Sequence, residues 1–97
     1  IQFRDVTTLL RDPKGLAAAV DGICDRHRSG GVDVVAGIEA RGFIFGTAVA
    51  YGLGRGFVPI RKPGKLPGAK IGRDFELEYG RDRIELHVGA IERGARV

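Results

Sequence analysis

The chain is 97 residues long and has a mass of 10.4 kDa, so it contains no more than one domain. Hydrophobic residues make up 43% of it, which excludes an intrinsically disordered segment, and no apolar run approaches the roughly 18 residues of a membrane span. The net charge of +4 is mild, but it is distributed unevenly along the chain.

Two residue counts bear on the setting in which the protein works. The chain has no methionine, not even at position 1, and we therefore expect it to be part of a longer protein. Its single cysteine, Cys24, cannot form an internal disulfide bond, which favours a reducing compartment and a packing role for the thiol. Ile1–Arg4 do not match the start of a signal peptide. We expect a cytoplasmic protein that has no membrane partner.

The first half of the sequence predicts two helices that alternate with two strands. Asp12-Pro13 is a favoured N-cap followed by a favoured first helical residue, and apolar residues at helical spacing extend the helix over residues 13–29. The run Val32–Ile38 then predicts a parallel strand that is buried on both faces. A second helix from Phe43 to Gly54 leads to a second strand, Gly56–Arg61. This order is typical of an open α/β sheet.

The second half predicts an antiparallel hairpin that follows a loop. Residues 62–72 are basic and rich in proline and glycine, which indicates a loop. Phe75–Tyr79 and Ile84–Val88 each alternate apolar with charged residues, and Gly80–Arg83 lies between them as the predicted turn. The alternation implies one solvated face, so we expect His87 to point to solvent or to a neighbouring loop.

The positive charge is concentrated in the middle of the chain. No acidic residue lies between Glu39 and Asp74, and the basic residues of this window are Arg41, Arg55, Arg61, Lys62, Lys65, Lys70 and Arg73. Arginines also outnumber lysines by twelve to four, and the guanidinium group matches phosphate oxygens well. A GC-rich genome explains the arginine bias equally well, but it does not explain the missing acids. The window indicates contact with a polyanion.

Two turns within this window each follow a predicted parallel strand: Glu39–Gly42 and Arg61–Lys65. The carboxyl ends of such strands meet at one edge of the sheet, where ligands bind in open α/β folds. The three cations of Arg61–Lys65 repel one another unless an anion lies among them. Two ordinary solvated turns are the alternative interpretation. Together, however, the turns indicate a clamp for phosphate or diphosphate.

The polyanion that the sequence favours is a small phosphate. No Walker motif and no dinucleotide fingerprint is present. None of the two tyrosines and five phenylalanines is interleaved with the basic cluster, as a platform for stacked bases would require, so we expect no nucleic-acid partner. A third candidate, Glu78 beside Tyr79, could transfer a proton if the hairpin folds over a ligand. An exposed strand face is the alternative interpretation there.

Several segments resemble the adenine phosphoribosyltransferase family, and the similarity covers essentially the whole chain in the family's order. They are Phe3–Leu10 with Asp12-Pro13, Glu39–Gly46, Val58–Gly68 and Leu77–Gly80. The resemblance implies a type I phosphoribosyltransferase fold of class α/β, with a parallel sheet flanked by helices and an antiparallel hairpin that forms a mobile active-site loop. Residues 1–97 would form a single, partial domain of this kind. The family's enzymes, usually dimeric, join adenine to 5-phosphoribosyl 1-diphosphate with Mg²⁺ in purine salvage and release AMP and diphosphate.

The resemblance also implies roles for the residues that match it. The candidates for binding diphosphate are Glu39, Ala40, Arg41, Arg61, Lys62 and Lys65. In the family, the residue matching Lys65 can reach the site of a second subunit, and the peptide bond matching Glu39-Ala40 is often cis. The segment Gln2, Phe3 and Arg4 matches the adenine-binding residues. The catalytic candidates are Arg41, Glu78 and Tyr79, with Glu78 handling the purine proton. No protein ligand to the metal is implied.

One hallmark of the family is expected beyond Val97. This is the ribose-phosphate loop, two acidic residues followed by Ala-Thr-Gly-Gly-Thr, which binds the 5-phosphate at a helix N-terminus. We therefore expect the 97 residues alone to be inactive. Two other function classes remain open: a nucleotide-sensing regulator on the same fold, and a simple polyanion-binding module. Nucleic-acid binding that depends on salt but not on diphosphate would favour the module.

Overall fold

The computed structural model describes the backbone of residues 6–77 and 80–97 and the side chains of residues 6–74 and 83–97. In chain order its elements are α1 Thr7–Arg11, α2 Pro13–His27, β1 Val34–Ile38, α3 Arg41–Leu53, β2 Gly56–Ile60, β3 Lys70–Leu77 and β4 Gly80–His87. The alternation of helix and strand in the first half is confirmed, and the short helix α1 is an addition to the predicted elements. Within the described part of the chain, no helix is both long enough and apolar enough to cross a membrane.

Helix α2 begins where the sequence predicts. The side chain of Asp12 accepts a hydrogen bond from the backbone N–H of Lys14 at 3.3 Å, and Pro13 occupies the first helical position. The helix ends at His27, two residues earlier than predicted. Cys24 is 1% exposed on its inner face, and its Sγ lies 3.7 Å from the carbonyl oxygen of Val49 in α3. The packing role expected of this cysteine is confirmed.

Strands β1 and β2 are parallel, and α3 connects them. Val34 pairs with Gly56 at one end of the register and Ile38 pairs with Ile60 at the other, so the carboxyl ends of both strands lie side by side. The prediction that β1 is buried on both faces is wrong for the described chain. Its first three residues are half-buried and Ile38 is 46% exposed, because β2 is its one neighbour among the described strands.

Strands β3 and β4 form the predicted antiparallel hairpin, but its turn lies elsewhere. Lys70 pairs with His87 and Leu77 with Gly80, so Gly80 is already part of the ladder. The predicted turn, Gly80–Arg83, is therefore wrong, and these residues belong to β4. The ladder hydrogen bonds of a sheet are made by the backbone, so the polar residues that suggested a turn extend the strand instead. For the same reason β3 begins at Lys70, so the last three residues of the predicted loop belong to the strand.

One pair of backbone hydrogen bonds connects the hairpin to the end of the parallel sheet. The N–H of Arg61 donates to the carbonyl oxygen of Glu85, and the N–H of Glu85 donates to that of Arg61, both at 2.8 Å. The segment between Arg61 and Lys70, which we call the basic loop, therefore begins and ends against the hairpin. Leu66, within this loop, is 7% exposed and provides its apolar anchor.

A candidate anion site at the edge of the parallel sheet

An open cleft of about 560 Å³ lies at the carboxyl edge of β1 and β2. The described residues that line it are Ala36, Gly37, Ile38, Glu39, Arg41, Gly42 and Ile60. The turn from β1 into α3 forms most of this lining. The close packing of this turn against β1 depends on Gly37, where a Cβ atom would lie only 2.6 Å from the carbonyl oxygen of Gly42. The backbone at the beginning of α3 is thereby drawn tightly against the strand.

Glu39 joins the two turns that the sequence placed at this edge. Its N–H donates to the carbonyl oxygen of Ile60 at 3.0 Å. Its Oε1 accepts hydrogen bonds from Nε of Arg61 at 3.1 Å and from the backbone N–H of Lys62 at 2.6 Å. The side chain is 16% exposed. The expectation that both turns meet at one sheet edge is confirmed, and the carboxylate of Glu39 is directed at the basic loop.

The electrostatic environment keeps Glu39 ionised. The hydrogen bond from the N–H of Lys62 lowers the pKa of this carboxyl, and the hydrogen bond and charge of Arg61, together with the charge of Lys65, lower it further. Burial acts in the opposite direction but does not prevail. A negative charge therefore persists at the centre of the cationic cluster at neutral pH.

Aromatic packing also holds Arg61 in place. The guanidinium carbon lies 5.8 Å from the centre of the Phe43 ring, within the range of a cation–π contact. Phe43, in the first turn of α3, packs edge-to-face on Phe57 of β2, with 5.7 Å between ring centres and 89° between planes. Arg61 is thus fixed by a carboxylate, an aromatic ring and its backbone pairing.

The other candidate residues occupy different parts of this edge. Arg41 is the first residue of α3 and lines the cleft, where its side chain is exposed. Lys65 is exposed in the basic loop, outside the lining. The Glu39-Ala40 peptide bond is cis, as the resemblance implied. Gln2, Phe3, Arg4, Glu78 and Tyr79 lie outside the described residues.

A second carboxylate beside the basic loop was not expected from the sequence. The alternation in Ile84–Val88 implies one solvated face, which includes Glu85, but Glu85 is 6% exposed because the basic loop contacts that face. Its Oε1 accepts from the N–H of Gly64 at 3.2 Å, and its Oε2 accepts from Nε of Arg83 at 3.1 Å. His87, on the same face, lies with Nε2 2.8 Å from the carbonyl oxygen of Pro67, so its expected contact with a loop is confirmed. The sequence offered no signal for the burial of Glu85.

The acidic residues of the described chain do not converge on a metal site. No group of three or more His, Cys, Asp or Glu side chains is close enough to hold an ion among the described residues. Glu39 and Glu85 already accept hydrogen bonds from the basic loop. Among the described residues the cleft offers an anion the side chain of Arg41 and the backbone of the turn from β1 into α3.

Two adjacent parallel strands that end in turns bearing Arg41, Arg61 and Lys62 place the candidate anion site at the edge where open α/β proteins bind ligands. No protein-family model matches the chain. Over all 97 residues it is 62% identical to the adenine phosphoribosyltransferase of Nitrosospira multiformis. The chain is thus similar over its whole length to adenine phosphoribosyltransferases, and it has the type I phosphoribosyltransferase fold. It spans 55% of the length of that curated relative.

Solved structures of the family share the fold of this chain. The adenine phosphoribosyltransferase of Thermoanaerobacter pseudethanolicus matches it with a TM-score of 0.95 at 44% identity, over 100% of this chain and 56% of that one. The enzyme of Saccharomyces cerevisiae, in a complex with adenine and an imino-altritol bisphosphate, matches with a TM-score of 0.91 at 37% identity. That match covers 98% of this chain and 56% of the yeast chain. The expected fold class is confirmed.

Proposed function

We propose that the protein is an adenine phosphoribosyltransferase, which joins adenine to 5-phosphoribosyl 1-diphosphate and releases AMP and diphosphate in purine salvage. The observation that carries this proposal is the junction at Glu39, which ties two cationic turns together at the carboxyl edge of a parallel sheet. The 62% identity to an enzyme of that name and the adenine bound in the yeast relative support it.

The chemistry explains why a cationic edge is needed. The bond between the anomeric carbon of the ribose and a diphosphate oxygen breaks, and a ring nitrogen of adenine forms a bond to that carbon. Negative charge accumulates on the leaving diphosphate, so cations that are already in place stabilise the transition state. We assign this role to Arg41, Arg61, Lys62 and Lys65, and the peptide groups of Glu39-Ala40 contact the same diphosphate.

The remaining roles rest on the resemblance. Gln2, Phe3 and Arg4 bind adenine, largely through the backbone. Glu78 and Tyr79 close over the site, and Glu78 accepts the proton that the purine nitrogen loses as it attacks. Together with Arg41, these two residues form the catalytic set. The 97 residues constitute part of a single domain.

The setting of the reaction is part of the same proposal. Mg²⁺ enters as a complex with the diphosphate group of the substrate, whose oxygens are the ligands that this ion prefers. The chain would hold the diphosphate of such a complex through Arg41, Arg61, Lys62 and Lys65, and the metal would neutralise further negative charge on that group. The protein works in the cytoplasm as a homodimer.

The test is AMP formation by the protein at its natural length, from adenine, 5-phosphoribosyl 1-diphosphate and Mg²⁺. Two variants probe the cationic edge: Arg41→Ala and Lys62→Ala. Lys62 contacts Glu39 through its backbone N–H, so this substitution keeps that hydrogen bond. Because a hydrogen bond to a charged group is strong, each variant should weaken diphosphate binding about tenfold to a hundredfold in calorimetry.

Arg93→Ala is the matched control, since it removes an equal charge from an exposed position outside the cleft. It should bind diphosphate as the wild type does. Equal binding by all three variants would contradict the assigned roles. A protein that forms no AMP, and whose nucleic-acid binding resists excess diphosphate, would instead be a polyanion-binding module. The 97 residues alone should bind diphosphate without turnover.

A further inference from the structure

Among the charged side chains that the structure describes, Glu85 is the one that is buried, with 6% of its surface exposed. It has no place in the proposed chemistry. Both of its carboxylate oxygens nevertheless accept hydrogen bonds, one from the N–H of Gly64 at 3.2 Å and one from Nε of Arg83 at 3.1 Å. Its backbone pairs in both directions with Arg61. A buried charge with this many partners has a defined orientation.

The contact of Glu85 with Gly64 is one of three by which hairpin side chains hold the backbone of the basic loop. Nζ of Lys70, in β3, donates to the carbonyl oxygen of Leu66 at 3.1 Å. Nε2 of His87, in β4, lies 2.8 Å from the carbonyl oxygen of Pro67. Glu85 provides the contact nearest to the cations, at Gly64, between Lys62 and Lys65. The hairpin therefore shapes the loop where its charges are most crowded.

Two carboxylates from different elements thus support the basic loop. Glu39, from the turn after β1, accepts from Arg61 and from the N–H of Lys62. Glu85, from β4, accepts from the N–H of Gly64. The cations of the loop repel one another, and without these two anchors they would separate.

We infer that Glu85 is a positioning residue for the diphosphate, which holds the basic loop, and with it Lys62 and Lys65, in one conformation beside the sheet edge. This inference rests on the proposed function. The physical reason is preorganisation: a loop that is already ordered loses less conformational entropy when the anion binds. Arg83 compensates the buried charge of Glu85, and Asp74 in turn accepts from Arg83 at 3.0 Å.

The sign of the effect distinguishes this role from simple electrostatics. Removing a negative charge beside a cationic loop would, through Coulomb interactions alone, strengthen the binding of an anion. Loss of a positioning residue weakens it. In the protein at its natural length, Glu85→Ala should raise the KM for 5-phosphoribosyl 1-diphosphate about tenfold, because a hydrogen bond to a charged group is lost. The KM for adenine should stay unchanged, and kcat should change far less than the KM for the diphosphate substrate.

Two further variants separate the contacts of Glu85. In Glu85→Gln the amide oxygen can still accept from Gly64, so most of the wild-type affinity should return. Gly72→Ala leaves all charges in place, but its Cβ would lie 2.6 Å from Cζ of Arg83 and would displace that guanidinium from Glu85. It should raise the KM for the diphosphate substrate by about threefold, as expected for a weakened ion-paired hydrogen bond. If Glu85→Ala does not fold, Glu85→Gln and Gly72→Ala test the inference in its place.

Glu92→Ala is the control, because it removes an equal charge from an exposed residue. The thermal midpoint of each variant is recorded alongside the kinetics. The inference is overturned if Glu85→Ala and Gly72→Ala lower the midpoint but keep the KM of the control for 5-phosphoribosyl 1-diphosphate. Failure of the wild-type protein to form AMP would instead overturn the proposed function, and the inference with it.

Discussion

The two turns at the candidate site are held in place by different physical interactions. The turn from β1 into α3 is held by covalent connection and by steric fit, since the backbone of Gly42 touches Gly37 directly. The basic loop is held by polar contacts, chiefly the carboxylates of Glu39 and Glu85. Leu66 is its one buried apolar side chain among the described residues.

This difference shows how one site can combine a rigid part with an adjustable part. Steric contacts between backbone atoms do not respond to pH or salt. Contacts between carboxylates and N–H groups depend on the ionisation of the acids. We therefore expect the first turn to fail only when its packing is disturbed, and the anchoring of the basic loop to weaken as its two carboxylates are protonated. Three predictions test this contrast.

The largest effect is expected at the steric contact. Gly37→Ala would place a Cβ 2.6 Å from the carbonyl oxygen of Gly42 and 3.0 Å from the Phe57 ring. Because backbone must move, we expect the free energy of unfolding to fall by about 2–3 kcal/mol. Urea denaturation at low and at high salt measures this free energy, and the loss should be the same at both salt concentrations.

Gly22→Ala is the matched control for this substitution. A Cβ at Gly22, within α2, meets no atom within 4 Å. The variant should therefore gain about 0.5–1 kcal/mol from the higher helix propensity of alanine. A loss at Gly22 that matches the loss at Gly37 would show that the close approach to Gly42 has no special importance.

A smaller effect is expected when the two carboxylates are protonated. The N–H of Lys62 lowers the pKa of Glu39, and the hydrogen bond from Arg83 lowers that of Glu85, relative to their ordinary value of 4.5. A lowered folded-state pKa contributes stability that is fully present above the unfolded-state pKa and is lost as the pH falls through the folded-state value. Acid should therefore weaken the anchoring of the basic loop.

The comparison is between the wild type and the double variant Glu39→Gln with Glu85→Gln. Between about pH 6 and about pH 3 the urea midpoint of the wild type should fall further than that of the double variant, which lacks both titrating groups. Parallel curves for the two proteins would exclude a role for these carboxylates in stability.

The smallest effect is expected at an ion pair on the surface of α2. Arg28 donates to Asp25 at 3.3 Å, but the two side chains are 57% and 72% exposed. Solvent screens such a pair, so Asp25→Asn should change the free energy of unfolding by no more than about 0.5 kcal/mol. Chemical denaturation at neutral pH gives the value. A larger loss would mean that an exposed ion pair can contribute as much to stability as the buried contacts of Glu85.

Much of the fold could be predicted because its signals are local. The start of α2 depends on Asp12 and Pro13, and both lie within a few residues of the N–H groups that they affect. The parallel strand pair follows from two apolar runs on either side of a helix, and this topology alone placed both cationic turns at one edge. The family resemblance agreed with that placement, including the cis bond at Glu39-Ala40.

The features that were missed depend on residues far apart in the sequence. The alternation in β4 correctly separates two faces, but it cannot show that the basic loop covers the face of Glu85. The bond from Gly64 to Glu85 spans 21 positions, and that from Arg61 to Glu39 spans 22. The position of the hairpin turn also depends on pairing between strands rather than on the residues of the turn itself.

The sequence by itself determined the alternation of α2, β1, α3 and β2, where α2 begins, and which sheet edge carries the positive charge, because hydrophobic periodicity, capping and the order of elements are local properties. The tertiary structure alone decided what the carboxylates of Glu39 and Glu85 contact and how deeply Glu85 is buried. The reason is physical. The burial of a charge and the partners that compensate it depend on which distant segments pack together, and the residue types within one strand do not specify that packing.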